Sequence, residues 1–246
     1  MSDTAARLEN TMVSTAIEQA RRAVVECIRE FRPDGSADWD DGRALRTEIQ
    51  LVCDTIDLDL AIRGFSIDIS GGDAETRQQA ADALGWLGDE RGISALLRGL
   101  DDMAPTVRMY AAVALAQFSR LPDWVVAPLA DALRDANAGV RAHAATALGQ
   151  CRSDLAVAAV VRVLDDASGT VRSNAARALE ELGLNGYQSD VAIAKLSANL
   201  DDDQPRVAYD AFWGLRGQAG SASDERCSAW RWSPGGQRAW GRATRG

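Results

Sequence analysis

The chain has 246 residues, with 36 acids against 27 bases and a formal net charge of −9. That balance argues against a sequence-independent nucleic-acid binder, which needs many cations to neutralise phosphates. Hydrophobic residues make up 46%, enough for a packed core and too many for wholesale disorder. Lys195 is the single lysine beside 26 arginines, and 26 of the 36 acids are Asp. GC-rich coding DNA favours Arg over Lys, and a salt-rich cytoplasm, as in salt-accumulating archaea, favours Asp.

The N-terminus, "MSDTAARLEN", is acidic and polar, unlike a signal peptide. No apolar run approaches the ~18 residues of a membrane span, so a cytoplasmic location is expected. Residues 4–32 read as one helix, with Leu8, Met12, Ala16, Ala20, Val24, Cys27 and Phe31 as its stripe. Pro33 and Gly35 stop it. "DWDD" then offers caps for a second helix over 42–63, with Leu45, Ile49, Val52 and Ile56 inward. Residues 1–71 therefore read as an N-terminal helical cap; a dimerisation hairpin is the alternative. "GFSIDISGG" at 64–72 has glycines but neither phosphate-loop spacing.

A repeat follows. Arg77, Arg108, Arg141 and Arg172 fall at intervals of 31, 33 and 31 residues. Ala-Ala pairs recur at 80–81, 111–112, 144–145 and 175–176, and a Leu at 84, 115, 148 and 179. A fifth unit, with Val207, Ala211 and Leu215 in register, has Ala208 in the Arg column. Each unit has a second half: Ile93, Leu96 and Leu100 recur as Val126, Leu129 and Leu133, then Val157, Val160 and Leu164, then Ile193, Leu196 and Leu200. Spacings of three and four put these on one helix face. One such helix pair cannot cover its own apolar face, so the units stack into a solenoid over 72–217. Asp and Ser between units supply caps. Asp102 and Arg108, Asp135 and Arg141, and Asp166 and Arg172 share an offset of six, predicting a ladder of partly buried ion pairs between neighbouring units.

The Asp…Val-Arg…Ala-Ala…Leu-Gly pattern resembles the HEAT-like repeats of the phycobilisome-lyase type over about 72–217. The resemblance implies an all-α, right-handed α-solenoid of helix-pair repeats behind the helical cap. It implies second helices lining a concave face. The family includes bilin lyase subunits, bilin-binding proteins and adaptors, so two functions follow: a non-catalytic protein-binding adaptor, with a signalling or motility assembly as one setting, or a bilin lyase-type or bilin-binding protein.

Chemistry is thin. His143 is the single histidine, and its column reads Gln79, Tyr110, His143, Asn174 and Asp210, an exposed and interchangeable position. No nucleophile–His pair is plausible with it, and no catalytic residue is assigned. Asp runs at 101–102, 165–166 and 201–203 lack Ca²⁺-loop spacing and read as caps, so no metal or cofactor is expected. Cys27, Cys53, Cys151 and Cys227 are far apart and read as free thiols. What remains is surface. The outward columns of the second helices read Arg91, Trp124, Leu155, Val191; then Ala95, Pro128, Ala159, Lys195; then Arg98, Asp131, Arg162, Ala198. From these, Arg91, Arg98, Trp124, Asp131, Arg162 and Lys195 are the candidate partner-binding strip, with Trp124 either its aromatic anchor or the start of its helix, folded back on the preceding loop. Trp86 is a weaker candidate.

The last stretch, 218–246, is basic and rich in Gly and Trp, without helical or strand period. It reads as a disordered tail or as the out-of-frame translation of GC-rich DNA. As a nucleic-acid arm it would stack bases on its Trp residues.

Overall fold

The computed structural model describes residues 2–31, 51, 57–219, 230–232 and 238–240. Two compact units divide the chain, 1–117 and 118–246. The first holds α1 (Ser2–Phe31), α2 (Leu58–Asp68), α3 (Ala74–Leu87), α4 (Ile93–Leu100) and α5 (Pro105–Ala116), with a 3₁₀ turn at Glu90–Gly92 leading into α4. The second holds α6 (Val126–Ala132), entered through a 3₁₀ turn at Asp123–Val125, then α7 (Ala138–Gly149), α8 (Asp154–Val161), α9 (Gly169–Leu184), α10 (Asp190–Asn199) and α11 (Pro205–Ala219). Two three-residue strands, β1 (Trp230–Trp232) and β2 (Arg238–Trp240), pair antiparallel, Trp230 opposite Trp240.

In the first unit α3 packs on α5, α4 leans on α5, and α2 covers α3. In the second, α7, α9 and α11 lie side by side, while α6, α8 and α10 form the row behind them. The fold is an all-α solenoid of helix pairs. The repeated columns form its core: both Ala-Ala pairs and the following Leu of α7 and α9 are fully buried, as are the equivalent residues of α3 and α5. Of the aliphatic columns, eleven of the twelve side chains are buried, and Ile193 is half-buried.

The N-terminal reading needs correction in two places. Of the α1 stripe, Ala20, Val24 and Cys27 are buried and Ala16 is half-buried, whereas Met12 is exposed. The helix expected over 42–63 cannot run through Asp57, whose backbone is extended and whose carboxylate caps α2 by accepting from the Leu60 amide. So α2 begins at 58 and continues to Asp68, five residues past the expected end; Leu45, Ile49, Val52 and Ile56 lie outside the described residues. Arg21 of α1 pairs with Asp68, and its guanidinium sits 6.0 Å from the Phe65 ring centroid. Trp86 is buried against Cys27 of α1, which removes it from the surface candidates.

The division at 117/118 falls inside the expected 72–217 array, on the connection between α5 and α6. At the other end α11 runs through Ala219. Gln218, placed by the sequence reading in the tail, is buried: its amide nitrogen donates to the carbonyls of Leu179 (2.7 Å) and Tyr187 (3.1 Å), and its oxygen accepts from the Ser189 amide (2.8 Å). The expected disordered tail also contains the β1/β2 pair.

Close approach of the first helices explains the small residues. A Cβ on Gly149 would lie 3.1 Å from the Ala178 Cα on α9. A Cβ on Gly183 would collide with the backbone of Gly217 on α11. In an open helix, Gly→Ala gains up to about 1 kcal/mol from helix propensity. Here overpacking of about 1–3 kcal/mol opposes it. Gly183→Ala is therefore expected to lower the urea midpoint of the full chain. An unchanged or raised midpoint would mean that the α9–α11 approach is looser than described.

Candidate binding face and the inter-repeat joint

Three joints pair one Arg with one Asp. Arg141 forks the Asp166 carboxylate, Nε to Oδ2 at 2.8 Å and Nη2 to Oδ1 at 2.9 Å. Arg172 does the same to Asp202 at 2.7 and 2.8 Å, and Arg77 to Asp102 at 2.5 and 3.0 Å. The side chains of all three pairs are 8–17% exposed. The six-residue offset has a different meaning from the one expected. Across it Arg108, Arg141 and Arg172 each donate Nη1 to a backbone carbonyl, of Asp102, Asp135 and Asp166, all at 2.8 Å. In the three forks above, the side-chain partner lies 25 or 30 residues downstream, on the next joint. Arg77 and Asp202, absent from the expected ladder, are thus members of it, and Ala208 comes after its last carboxylate.

The carboxylates do not cap the helices that follow. Asp102, Asp135, Asp166 and Asp202 each accept from the amide two residues on, at 2.7–2.9 Å, which fixes the turn. In the second unit Asn137, Ser153 and Ser189 cap their helices through their side chains, while Val125 and Ser168 stand at N-cap positions without a side-chain bond. The first Asp of each run is solvent-facing; Asp165 pairs with Lys195. The forks hold Asp102 and Asp166 below the ordinary carboxylate range, because ionisation is stabilised by hydrogen bonds from Arg77 and Arg141. Burial pushes Asp202 up, but the Arg172 fork prevails and holds it below that range too.

The second-helix residues divide by unit. In the first, Arg91 pairs with Asp89 (2.7 Å) and with Asp59 of α2. Arg98 donates to Ser70 Oγ, Ser94 O and Ser66 O at 3.2–3.3 Å. In the second, Trp124, Leu155 and Val191 are 55%, 69% and 60% exposed. They occupy equivalent places, Trp124 in the turn before α6, Leu155 and Val191 in the first turns of α8 and α10. Further along the row Asp131 pairs with Arg134 at 3.0 Å, Arg162 is exposed, and Lys195 is half-buried beside Asp165. In the middle column Ala95 and Ala159 are buried, and Pro128 and Lys195 are half-buried.

The profile of HEAT repeats matches residues 68–125 and 126–216, more than half of the chain. The chain belongs to the HEAT-repeat family. Among solved structures, the complex of CpcE and CpcF of phycocyanin lyase from Nostoc sp. is 23% identical with a TM-score of 0.51, covering 63% of this chain and 97% of that one. A designed armadillo repeat protein in complex with the peptide (KR)4 is 16% identical with a TM-score of 0.54, covering 83% and 92%. An engineered protein gives 21%, 0.54, 83% and 90%. At these identities the likeness is one of fold. No curated protein matches the chain in sequence.

Within the HEAT array His143 is half-buried rather than exposed, and burial lowers its pKa by disfavouring the imidazolium. Its column changes character along the array: Gln79 is exposed, Asn174 reaches the Ala142 carbonyl at 3.3 Å, and Asp210 is buried, accepting from Ser173 Oγ and from Arg206 at 2.8 Å. Cys27 and Cys151 are buried free thiols, and burial pushes Cys151 up to about 12. Cys53 and Cys227 lie outside the described residues. Among the described residues no three His, Cys, Asp or Glu side chains form a metal-holding group, and no helix is long and apolar enough to cross a membrane. Sequence reasoning missed Arg63 and Ile67, which α2 places beside Arg91 and Arg98. The signal was available: 59, 63, 66/67 and 70 have helical spacing.

Two outcomes test the joint. Removing one partner of a buried ion pair costs about 3–5 kcal/mol, while an exposed pair contributes about 0–1 kcal/mol. Asp166→Ala should therefore lower the unfolding free energy by about 3 kcal/mol, against less than about 1 for Arg134→Ala. Equal losses in urea titrations would remove the joint's special role. The pH dependence follows from the lowered carboxylates. Their stabilisation is complete above the unfolded Asp value of about 3.9 and is lost as pH falls through the folded values. Melting temperature should thus drop below about pH 4, and Asp166→Asn should shallow that drop.

Proposed function

We propose that this HEAT array is a non-catalytic scaffold that holds a protein partner on its second-helix face. The observation that carries the reading is the exposed apolar row Trp124, Leu155 and Val191. In this row the aliphatic columns are spent on the core, so an apolar residue in the outward column is free for a partner. Exposed apolar residues in a contiguous set mark interaction sites. Helices in contact lie about 8–10 Å apart, so the row offers one apolar contact per repeat. That spacing suits a peptide or helix laid across the repeats. Trp124 is the anchor, because Trp dominates binding hot spots. The peptide complex of the designed armadillo relative supports the mode by analogy of fold.

The test is affinity capture from host lysate at host salt, with the full chain and a Trp124→Ala, Leu155→Asp variant as baits. Both residues are exposed, so the variant should give the same circular dichroism and melting temperature. A partner held by the first and reduced about thirtyfold in affinity on the second, the loss expected of a 2 kcal/mol hot spot, supports the reading. Equal capture removes the row as the site. A coloured tetrapyrrole carried on the bait, with visible absorbance, favours the bilin-binding alternative instead.

A further inference from the structure

The first unit has a cleft that the row does not touch. It is an open cavity of about 650 Å³ between α2 and α4. Asp59, Arg63, Ser66 and Ile67 line it from α2, and Arg91 and Arg98 from the other side. Their spacings, 59, 63, 66/67 on one helix and 91, 98 on the other, bring three guanidiniums to one place in an acidic chain. They are not equivalent. Arg91 is neutralised by Asp59 and Asp89. Arg98 is held only by uncharged oxygens, those of Ser66, Ser70 and Ser94, so it is positioned without being neutralised. Three of its five N–H groups are used, and two remain for a ligand. Arg63 is exposed and has no ion-pair partner among the described residues. Ile67, 65% exposed, gives the cleft an apolar patch.

We infer that this cleft receives an acidic segment of a protein partner: carboxylate side chains on Arg63 and Arg98, flanking an apolar residue laid on Ile67. This rests on the scaffold reading and names the partner's chemistry. Guanidinium–carboxylate pairing is bidentate and directional, and a fixed Arg98 spends little entropy on binding. The apolar patch distinguishes a peptide from a free anion, which gains nothing from Ile67. A net charge of −9 opposes a polyanion such as nucleic acid, whose field extends beyond the cleft.

The experiment uses a phage-displayed library of random twelve-residue peptides, selected on the full chain and on the variants Arg63→Gln and Arg63→Gln with Arg98→Gln. Selected peptides are then labelled and titrated by fluorescence anisotropy, beside an oligonucleotide of equal charge. The expected outcome is enrichment of Asp and Glu around Leu, Ile or Phe. Affinity should fall at least tenfold on Arg63→Gln and further on the double variant, and fall with added salt. Arg63 is exposed and makes no hydrogen bond or ion pair among the described residues, so its replacement should leave the melting temperature unchanged. No acidic enrichment, enrichment that survives Arg63→Gln, or equally tight oligonucleotide binding would each overturn the proposal. Trp124→Ala with Leu155→Asp should leave acidic-peptide affinity unchanged. Loss of cleft binding alone thus leaves the row standing, and the reverse also holds.

Discussion

The forked bond between an Arg of one HEAT repeat and an Asp of the next joint is the constraint on which the array's order depends. Apolar columns alone do not define a register. Ala and Leu at spacings of three and four tolerate small slips, because neighbouring methyl groups are interchangeable. A guanidinium does not. Arg141 must meet both oxygens of Asp166 while Nη1 stays on the Asp135 carbonyl. One planar group therefore reads two consecutive joints, and Arg172 repeats the operation from Asp166 to Asp202. Replacing such pairs by apolar residues is often neutral in stability. Their contribution here is better described as geometry: they set where each helix pair starts relative to the last.

That arrangement separates structural from functional residues. The first helices carry the joint and the Ala columns, and they approach until only glycine fits, as at Gly183 and Gly217. They have little room to vary. The second helices need only their aliphatic side for the core. Their outer positions hold Arg91, Trp124, Leu155 and Val191 in successive repeats. A side chain that serves neither joint nor core is free to serve a partner: the proposed row uses such positions in the second unit, and the cleft uses Arg91 and Arg98 in the first.

The sequence made the periodic parts legible. Arg, Ala-Ala and Leu columns, each repeated at about 31 residues, predict helix pairs and their buried faces, and those faces are buried. What the sequence did not disclose depended on distance rather than period. The partner of Arg77 lies 25 residues away and that of Arg172 lies 30 away, because α9 and the connection to α10 are longer. A fixed offset of six drew attention to the backbone contact instead. The cleft was hidden by one boundary. With α2 ended at 63, Ile67 and Ser66 look like loop; once Asp57 caps a helix reaching 68, they join Arg63 on one face. His143 misled for a related reason. Its column is polar throughout, yet exposure changes along it, from exposed Gln79 to buried Asp210, which accepts from Ser173 of the preceding repeat.

The end of the array shows the same principle. Gln218 looks like the first residue of an unrelated basic tail, since composition changes there. Its side chain nevertheless bonds the carbonyls of Leu179 and Tyr187 and the amide of Ser189, closing the turn between α9 and α10. Satisfying all three partners matters because each unsatisfied buried group would cost about 1–3 kcal/mol. Gly217, one residue earlier, is likewise the residue type its contact with Glu180 requires. The packing of the repeat therefore extends through Gln218, one residue past the expected end of the array.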